Sequence, residues 1–481
     1  MPTTASKKKL YALNPALPPR FVETVRTRCK QRRVDSSPKA LESQVRQLLA
    51  DKISGNQVGI WLLIPEFLRL GVWDLLLLWS GQSTEEVEPR MALHLINESA
   101  LCLCSNRSER SLSQKGFEVA NGLPFVPTDA ALHQLLDAHT VAQARQLQLA
   151  LGKIRRARKH FQGQMLALDA HRILSYSQRQ MRRHRFSVSE KAKKMSQTFF
   201  LVDCDTHQPV AFTLSSSAQT VTQAAEELLS MGADILNLPT STAARPLVMA
   251  DKEHHTRELF ETVGARGCFD LLVPMPARPM TSAEAEKVAA LPFTEHWAGY
   301  ATAQRSFRFK DGSAKAADLS ELVQRTSNAP NTHSYQRFIT TTPRPELPTL
   351  THDYPRRWHI EEFFKFKQAL GWDRAGTMNL NVRYGQMSLS LIAQAGLSQL
   401  QKRLGEPVNQ WDAEHLARQF LDRLEGDIRV EKDTIVVTYY NAPNAELLRQ
   451  HYENLPSKLQ KEGIDSAIPW LYGFKLDFRF K

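Results

Sequence analysis

The stretch THDYPRRWHIEEFFKFKQALGWDR, residues 351–374, predicts one helix with two contrasting faces. Asp353 can cap its start, and Pro355 falls in the first turn, where a missing N–H is tolerated. Aromatic residues supply a packing face. A polar stripe is formed by four residues at spacings of 3, 4 and 4, namely Tyr354, Arg357, Glu361 and Lys365. This stripe is either a solvated surface or a site for a metal ion and a polyanion.

Composition points to a folded protein with an anionic partner. The chain has 481 residues, enough for roughly two to four domains. Its net charge of +12 favours nucleic acid over a membrane surface, because no basic amphipathic anchor stands out. The five cysteines lack zinc-type spacing with histidine, so we expect reduced thiols and a cytoplasmic location. No apolar run follows the charged start, so no signal peptide is predicted.

The most apolar stretch is IWLLIPEFLRLGVWDLLLLW, residues 60–79. Its length would fit a membrane span. One proline and three charged residues interrupt it, however, and charges at bilayer depth are costly. We therefore predict two buried helices joined near Gly71 and no membrane segment.

The N-terminal third of the chain is predicted to be helical and basic. Residues 1–20 are expected to be disordered, and residues 21–163 to form an all-α, DNA-binding domain. Its last helix ends in KIRRARKH, residues 153–160, with five Lys/Arg in eight positions. This run is either a solvated face or a contact to the DNA backbone. On the second interpretation, Arg155 and Arg156 of this run contact DNA. Arg182 and Arg183, in the basic connector that follows residue 175, are further predicted contacts.

The pattern then changes to alternating strands and helices. Residues 164–275 predict three antiparallel strands, then helix, strand, helix and strand. Residues 276–335 interrupt this core and are predicted to be an inserted, mainly β subdomain. The core resumes over residues 336–405, and residues 406–481 are predicted to form a C-terminal α+β region.

Three acidic residues stand at informative places. Asp169 lies in the middle of the apolar strand QMLALDAHRILS, Asp251 directly follows the apolar strand PLVMA, and Glu361 is on the opening helix. A carboxylate in an apolar strand is costly unless it is paired or binds a metal. Three converging carboxylates would repel one another, and two divalent cations would remove that penalty. Oxygen-only ligands suit Mg²⁺ or Mn²⁺ rather than zinc, and such an ion pair supports phosphoryl transfer.

The segment YPRRWHIEEFFK resembles the Y–R–E–K signature of bacterial insertion-sequence transposases with a DDE catalytic triad. In that family Tyr, Arg, Glu and Lys are separated by two, three and six residues. Tyr354, Arg357 and Glu361 match this pattern. The lysine position falls on Gln368, so either Lys365 or Lys367 is expected to serve instead.

Two further segments resemble the aspartate motifs of the same family. LVMADKEH, residues 247–254, supplies Asp251, and LALDAHRILSYS, residues 166–177, supplies Asp169. The resemblance covers about residues 165–405. It implies an α/β fold, in which a ribonuclease-H-like catalytic core carries an inserted mainly β subdomain and follows an all-α N-terminal domain.

Other residues compete for some of these roles. Asp203 and Asp205 are alternatives for the first aspartate, but they precede a turn and are expected to link the second and third strands. Asp251 could instead cap the helix that starts near Thr256, yet it lies too far upstream. Trp297, in the insertion, could stack on an unpaired base or simply pack within the insertion.

The resemblance implies a transposase that binds the ends of its mobile element, cleaves them with divalent metal, and transfers the 3′ ends into target DNA. Tyr354 and Arg357 would hold phosphates of double-stranded DNA, and the protein would act as a homodimer on paired ends, in the nucleoid of a bacterial cytoplasm. Two alternatives remain: a non-catalytic, transposase-derived DNA-binding protein, and a metal-dependent nuclease of the same fold.

Overall fold

The structure is a computed structural model that describes residues 37–55, 58–81, 87–102, 115–175, 183–184, 191–215, 219–239, 245–277, 280–309, 318–327, 329, 332–372, 377 and 379–481. Several predictions fall outside these residues or their described side chains. They are the disorder of residues 1–20, the DNA contact of Arg182, and the roles of Lys365, Lys367 and Gln368.

The first part of the described chain is helical. Its elements are α1 (Pro38–Ala50), β1 (Ile53–Gly55), a 3₁₀ turn (Val58–Leu63), α2 (Ile64–Arg69), α3 (Val72–Ser80), α4 (Val87–Ala100), α5 (Lys115–Ala120), α6 (Asp129–Ala138) and α7 (Val141–Ala157). Gly71 joins α2 to α3 in the left-handed region at φ 60°, as the sequence predicts. No helix in the described part of the chain is long and apolar enough to cross a membrane.

The central sheet has the ribonuclease-H-like arrangement that the sequence predicts. Its elements are β2 (Met165–Leu174), β3 (Arg183–His184), β4 (Lys193–Asp203), β5 (Gln208–Ser215), α8 (Val221–Leu236), β6 (Leu247–Ala250), α9 (Arg257–Arg266) and β7 (Asp270–Pro274). The core order is β5-β4-β2-β6-β7. The first three strands in this order are antiparallel, whereas β2, β6 and β7 are parallel.

The predicted insertion is mainly β, but its strands extend the central sheet. It contains α10 (Ser282–Ala289), β8 (Thr294–Trp297), β9 (Tyr300–Phe307) and β10 (Leu319–Thr326), and β11 (Ser334–Thr340) follows. β11 pairs antiparallel with β7, and β10, β9 and β8 follow outward. The edge of β7 is therefore covered, which removes an exposed row of unpaired backbone groups.

The opening stretch is helical but is not the single α-helix that the sequence predicts. A helical turn (Glu346–Pro348), a π turn (Thr349–Asp353) and a 3₁₀ turn (Tyr354–Trp358) lead into α11 (His359–Ala369). Pro355 has no N–H, so a regular i→i−4 ladder cannot pass through it. Asp353 makes no capping bond, and its carboxylate contacts His352 instead. α12 (Leu380–Leu404) follows and is largely buried.

The C-terminal part of the chain folds together with the N-terminal part. It comprises α13 (Ala413–Leu416), a π turn (Ala417–Asp422), β12 (Gly426–Glu431), β13 (Thr434–Tyr439), α14 (Ala445–Tyr452), α15 (Leu455–Lys461) and β14 (Lys475–Phe480). β1 pairs with β12 in a second sheet, and both parts contribute to one hydrophobic core. The sequence predicts separate regions here, because a three-residue strand with a distant partner leaves no local pattern.

The turn between β4 and β5 is organised by Asp203, whose side chain is fully buried. Its carboxylate accepts five hydrogen bonds, from Gln162 N, Gly163 N, Asp205 N, Thr206 N and Thr206 Oγ1. Two of these come from the chain that enters β2, so Asp203 holds the start of β2 to the turn. This contact fixes the strand that carries Asp169.

We predict that Asp203→Ala lowers the free energy of unfolding by about 3 kcal/mol, because buried donors lose a charged acceptor. Asp234→Ala, at an exposed position of α8, should change it by no more than about 0.5 kcal/mol. Urea denaturation of both variants provides the measurement. Equal losses in the two variants would contradict the structural role of Asp203.

Candidate active site

Asp169 and Asp251 lie side by side on neighbouring parallel strands. β2 and β6 pair in register, with Leu168 opposite Ala250. Asp169 is the next residue of β2 and Asp251 directly follows β6, so the two residues continue the same register. Neighbouring strands are only about 4.8 Å apart, and this register therefore brings the two aspartates together.

The environment of Asp169 opposes ionisation. Burial, and then the negative charge of Asp251, raise the pKa of Asp169 to about 6. Arg357 acts in the other direction, since its Nη1 donates to Asp169 Oδ2 at 3.2 Å. Asp169 Oδ1 also accepts from the backbone N–H of Ala170 at 2.7 Å. The carboxylate is thus held in place but is only partly compensated.

His254 supports Asp251 through a contact that the sequence analysis does not predict. Its ring is fully buried, and its Nδ1 lies 2.7 Å from Asp251 Oδ1. Burial works against ionisation of Asp251, yet the hydrogen bond and charge of His254 keep the pKa of Asp251 below its ordinary value. The i,i+3 spacing directly after a buried strand is the signal that could have identified this pair. We therefore interpret His254 as a positioning residue.

Asp251 also caps a short turn that the sequence analysis does not predict. Its Oδ1 accepts from Glu253 N at 3.0 Å at the start of a 3₁₀ turn, Lys252–His254. As expected, α9 is capped by another residue, Thr256. The short turn is possible because five residues, 251–255, separate β6 from the cap of α9.

Tyr354 and Arg357 line one cavity with Asp251. The 3₁₀ turn places both side chains on one face, with the Arg357 guanidinium carbon 5.9 Å from the Tyr354 ring centroid. Tyr354 also packs edge-to-face on Phe338, and burial raises its pKa. The cavity has a volume of about 480 Å³ and includes Lys252 in its wall. It therefore combines a carboxylate with three basic side chains, those of Lys252, Arg337 and Arg357.

Glu361 lies on α11 one turn beyond Arg357 and is partly buried. α11 packs on the central sheet through aromatic contacts, such as Phe363 with Phe200 at 5.3 Å between ring centroids. In the described part of the chain, one group of three potential metal ligands has its ligand atoms within 4.8 Å of one another, and this group does not include Asp169, Asp251 or Glu361. The three predicted carboxylates therefore do not converge to that distance. Arg357, rather than Glu361, contacts Asp169. The role of Glu361 stays a prediction.

The two aspartates fit the divalent cation that the DDE pattern implies. Both offer carboxylate oxygen, the donor type that Mg²⁺ and Mn²⁺ prefer. The raised pKa of Asp169 reflects burial and repulsion from Asp251, and both costs fall when a cation is bound between carboxylates. Asp169 and Asp251 are thus suitable first ligands.

Two alternative residues have other contacts. Asp205 follows β4 in the turn, as expected, and forms an ion pair with Arg356 at 2.8 Å. Trp297 is not a core residue, because 52% of it is exposed. It stacks on Tyr300 within the β8–β9 hairpin, at 4.5 Å between centroids and 8° between planes. Its packing is therefore local to the insertion.

The prediction that Arg155 contacts DNA is wrong. Its side chain is fully buried, and its guanidinium donates to Pro209 O at 2.6 Å and to the side chains of Gln208 and Gln394. Arg155 follows Leu147 and Leu151 on the apolar stripe of α7, which directs it inward. Arg156 is partly exposed and Arg183 is exposed, so their DNA contacts stay predictions.

Linkage predicts a pH-dependent effect of Asp169→Asn. The pKa of Asp169 is raised to about 6 in the folded state, so ionisation of Asp169 destabilises the folded protein. This destabilisation grows between about pH 4 and about pH 6 and amounts to about 3 kcal/mol at higher pH. Asp169→Asn should therefore gain stability relative to wild type by about 1 kcal/mol more at pH 8 than at pH 5. Urea denaturation in EDTA is the measurement. Asp234→Asn controls for the loss of one negative charge, and an equal pH dependence there would refute the assignment.

Comparisons with known proteins find one matching family. Residues 160–394 match the family described as transposase DDE domain. No curated protein is detectably similar in sequence to the chain. Among solved structures, the chain is similar to a cryo-EM structure of a piggyBac transposase synaptic complex with hairpin DNA, over 77% of this chain and 82% of that chain. The sequence identity is 10% and the TM-score is 0.41, and this similarity is too weak to establish a shared fold. The family match runs from the end of α7 into α12 and contains all three predicted acidic residues. Residues 160–394 of the chain are therefore similar to the transposase DDE domain family.

Proposed function

We propose that the chain is a transposase that binds the ends of a mobile element, cleaves them with divalent metal, and joins the 3′ ends to target DNA. The observation that carries this proposal is the pairing of Asp169 and Asp251 on adjacent parallel strands, within residues that match the transposase DDE domain family. Two carboxylates at such a position are costly for stability alone, and a reaction that needs a metal ion accounts for them.

Asp169, Asp251 and Glu361 would hold the metal, which is Mg²⁺ or Mn²⁺ and in this reaction class a pair of ions. When bound, such ions activate the attacking oxygen and stabilise the leaving oxygen of a phosphoryl transfer. His254 would keep Asp251 ionised and oriented through its contact at 2.7 Å. The turn of β4 into β5, fastened by Asp203, would hold β2 and hence Asp169 in place.

Arg357 and Tyr354 would bind the DNA backbone next to the scissile phosphate. The contact of Arg357 to Asp169 uses Nη1, and its Nε is buried with no hydrogen-bond partner among the described residues. A guanidinium with an unused donor suits a phosphate, which accepts two parallel hydrogen bonds. Lys252, in the wall of the same cavity, would add positive charge.

Contacts farther from the reaction would come from exposed basic residues. Arg156 and Arg183 are candidates, with Lys365 or Lys367 in place of the family lysine. The helical region over residues 21–163 would recognise the element end, because the catalytic core reads mainly backbone. We further propose a homodimer on paired ends, in the nucleoid of a bacterial cytoplasm.

The catalytic test uses the full chain, Mg²⁺, and DNA that carries the sequences flanking its gene. Wild type should cleave and join, and EDTA should abolish both activities. Asp169→Ala, Asp251→Ala and Glu361→Ala should each lose on the order of 10³-fold in rate. Asp205→Ala, which removes a nearby carboxylate paired with Arg356, should retain activity.

The same assay separates the alternatives. Cleavage without joining would identify a nuclease of the same fold. Binding of the flanking DNA without Mg²⁺-dependent cleavage would identify a non-catalytic DNA-binding protein. Loss of activity in Asp205→Ala together with normal activity in Asp169→Ala would reassign the first aspartate.

Arg357 can be tested separately by binding. We expect Arg357→Ala to weaken binding of end DNA by about 1–3 kcal/mol and to lower the slope of log affinity against log salt by about one. Fluorescence anisotropy in Ca²⁺ at several salt concentrations gives both quantities. Arg356→Ala is the matched control, since the neighbouring arginine is paired with Asp205. An equal effect of the two substitutions would argue against a specific phosphate contact by Arg357.

A further inference from the structure

A second group of metal-ligand side chains lies at the start of α11. It consists of His207, in the β4–β5 turn, and His359 and Glu362, on the helix. One ligand atom from each residue lies within 4.8 Å of the other two, and no other set in the described part of the chain meets that distance. His207 and Glu362 line a cavity of about 620 Å³, which is a different one from that of Asp251 and Arg357.

The ring of His359 is oriented for ligation by a contact to the backbone. Its Nδ1 lies 2.6 Å from the carbonyl oxygen of Cys204. A carbonyl oxygen only accepts, so Nδ1 carries the proton and Nε2 keeps its lone pair. Metal-binding histidines are commonly held in this way by a second contact that fixes the tautomer and the ring direction.

His207 completes the group from the other side. Its Nδ1 lies 3.2 Å from Glu362 Oε2, and its ring centroid lies 4.3 Å from that of His359. The side chains of His207 and Glu362 are 43% and 59% exposed, so an ion and its water ligand can enter from solvent.

We propose that His207, His359 and Glu362 bind a transition-metal ion of the Zn²⁺ class and that this ion fastens the β4–β5 turn to the helix that carries Glu361. Two imidazoles and one carboxylate form a ligand set that suits Zn²⁺, with a fourth position for water. The aspartate pair offers oxygen ligands and suits Mg²⁺. The two sites therefore select different ions, and the Zn²⁺ site does not rest on the proposed function.

The binding test uses the full chain in an Asp169→Ala/Asp251→Ala background, so that the aspartate pair is silent. Titration with Co²⁺ should produce visible absorption bands of low-coordinate cobalt, and Zn²⁺ should displace them. His207→Ala and Glu362→Gln should weaken binding by roughly 10-fold or more. His352→Ala is the matched control, because His352 also contacts a carboxylate, that of Asp353 at 2.9 Å, outside the group. Equal weakening by the control, or unchanged binding in His207→Ala, would overturn the proposal.

A second measurement separates metal binding from folding. It uses His207→Ala and not His359→Ala, because the latter would also remove the contact of His359 to the Cys204 carbonyl. Zn²⁺ should raise the Tm of the Asp169→Ala/Asp251→Ala protein. It should leave the Tm unchanged when His207→Ala is added to that background. Circular dichroism in EDTA should show that both fold. If Zn²⁺ shifts neither Tm and Co²⁺ gives no bands, the three residues form a histidine–glutamate ion pair and the proposed site does not exist.

Discussion

The proximity of Asp169 and Asp251 is the constraint on which the site depends. Pairing β2 with β6 in parallel register places two carboxylates next to each other, directly after the buried apolar residues Leu166–Leu168 and Leu247–Ala250. Each charge loses hydration and repels the other, and the raised pKa of Asp169 expresses that cost. Arg357 and His254 reduce the cost from two different directions, without removing it. Because the negative charge of the two carboxylates is only partly balanced by neighbouring groups, the pair attracts cations.

Several features of the fold serve to hold this pair. Asp203 ties the entrance of β2 to the β4–β5 turn. Pro355 interrupts the helical ladder before α11, and the resulting 3₁₀ turn directs Arg357 towards Asp169. β11 covers the edge of β7, and β6 lies in the interior of the sheet between β2 and β7. The residues that break a regular pattern are thus the ones that place the charged groups.

Local sequence patterns predict the core strands because each strand has its own apolar run and its own turn. They also predict that Asp203 and Asp205 belong to a hairpin. They cannot predict the pairing of β1 with β12 or of β7 with β11, because the choice of a distant partner depends on the completed core. His254 and Arg155 show the same limit for side chains. Arg155 belongs to a basic run, yet helical phase places it on the buried stripe of α7, where it binds backbone and amide oxygens.

α11 has an apolar face and carries polar residues of both proposed metal sites. Glu361 belongs to the proposed catalytic site, and His359 and Glu362 belong to the proposed Zn²⁺ site. Phe363 and Phe364 pack on Phe200, which itself stacks on Trp372 at 2° between ring planes. These contacts hold the helix in place without any metal, so an ion bound at either of the proposed sites would adjust the position of the helix and would not be needed to form it. A small shift of α11 would change the distance between Glu361 and the aspartates, because Glu361 is the one member of the predicted triad that lies on a helix. The position of the helix, more than that of the strands, would therefore decide whether Glu361 reaches a metal held by the two aspartates.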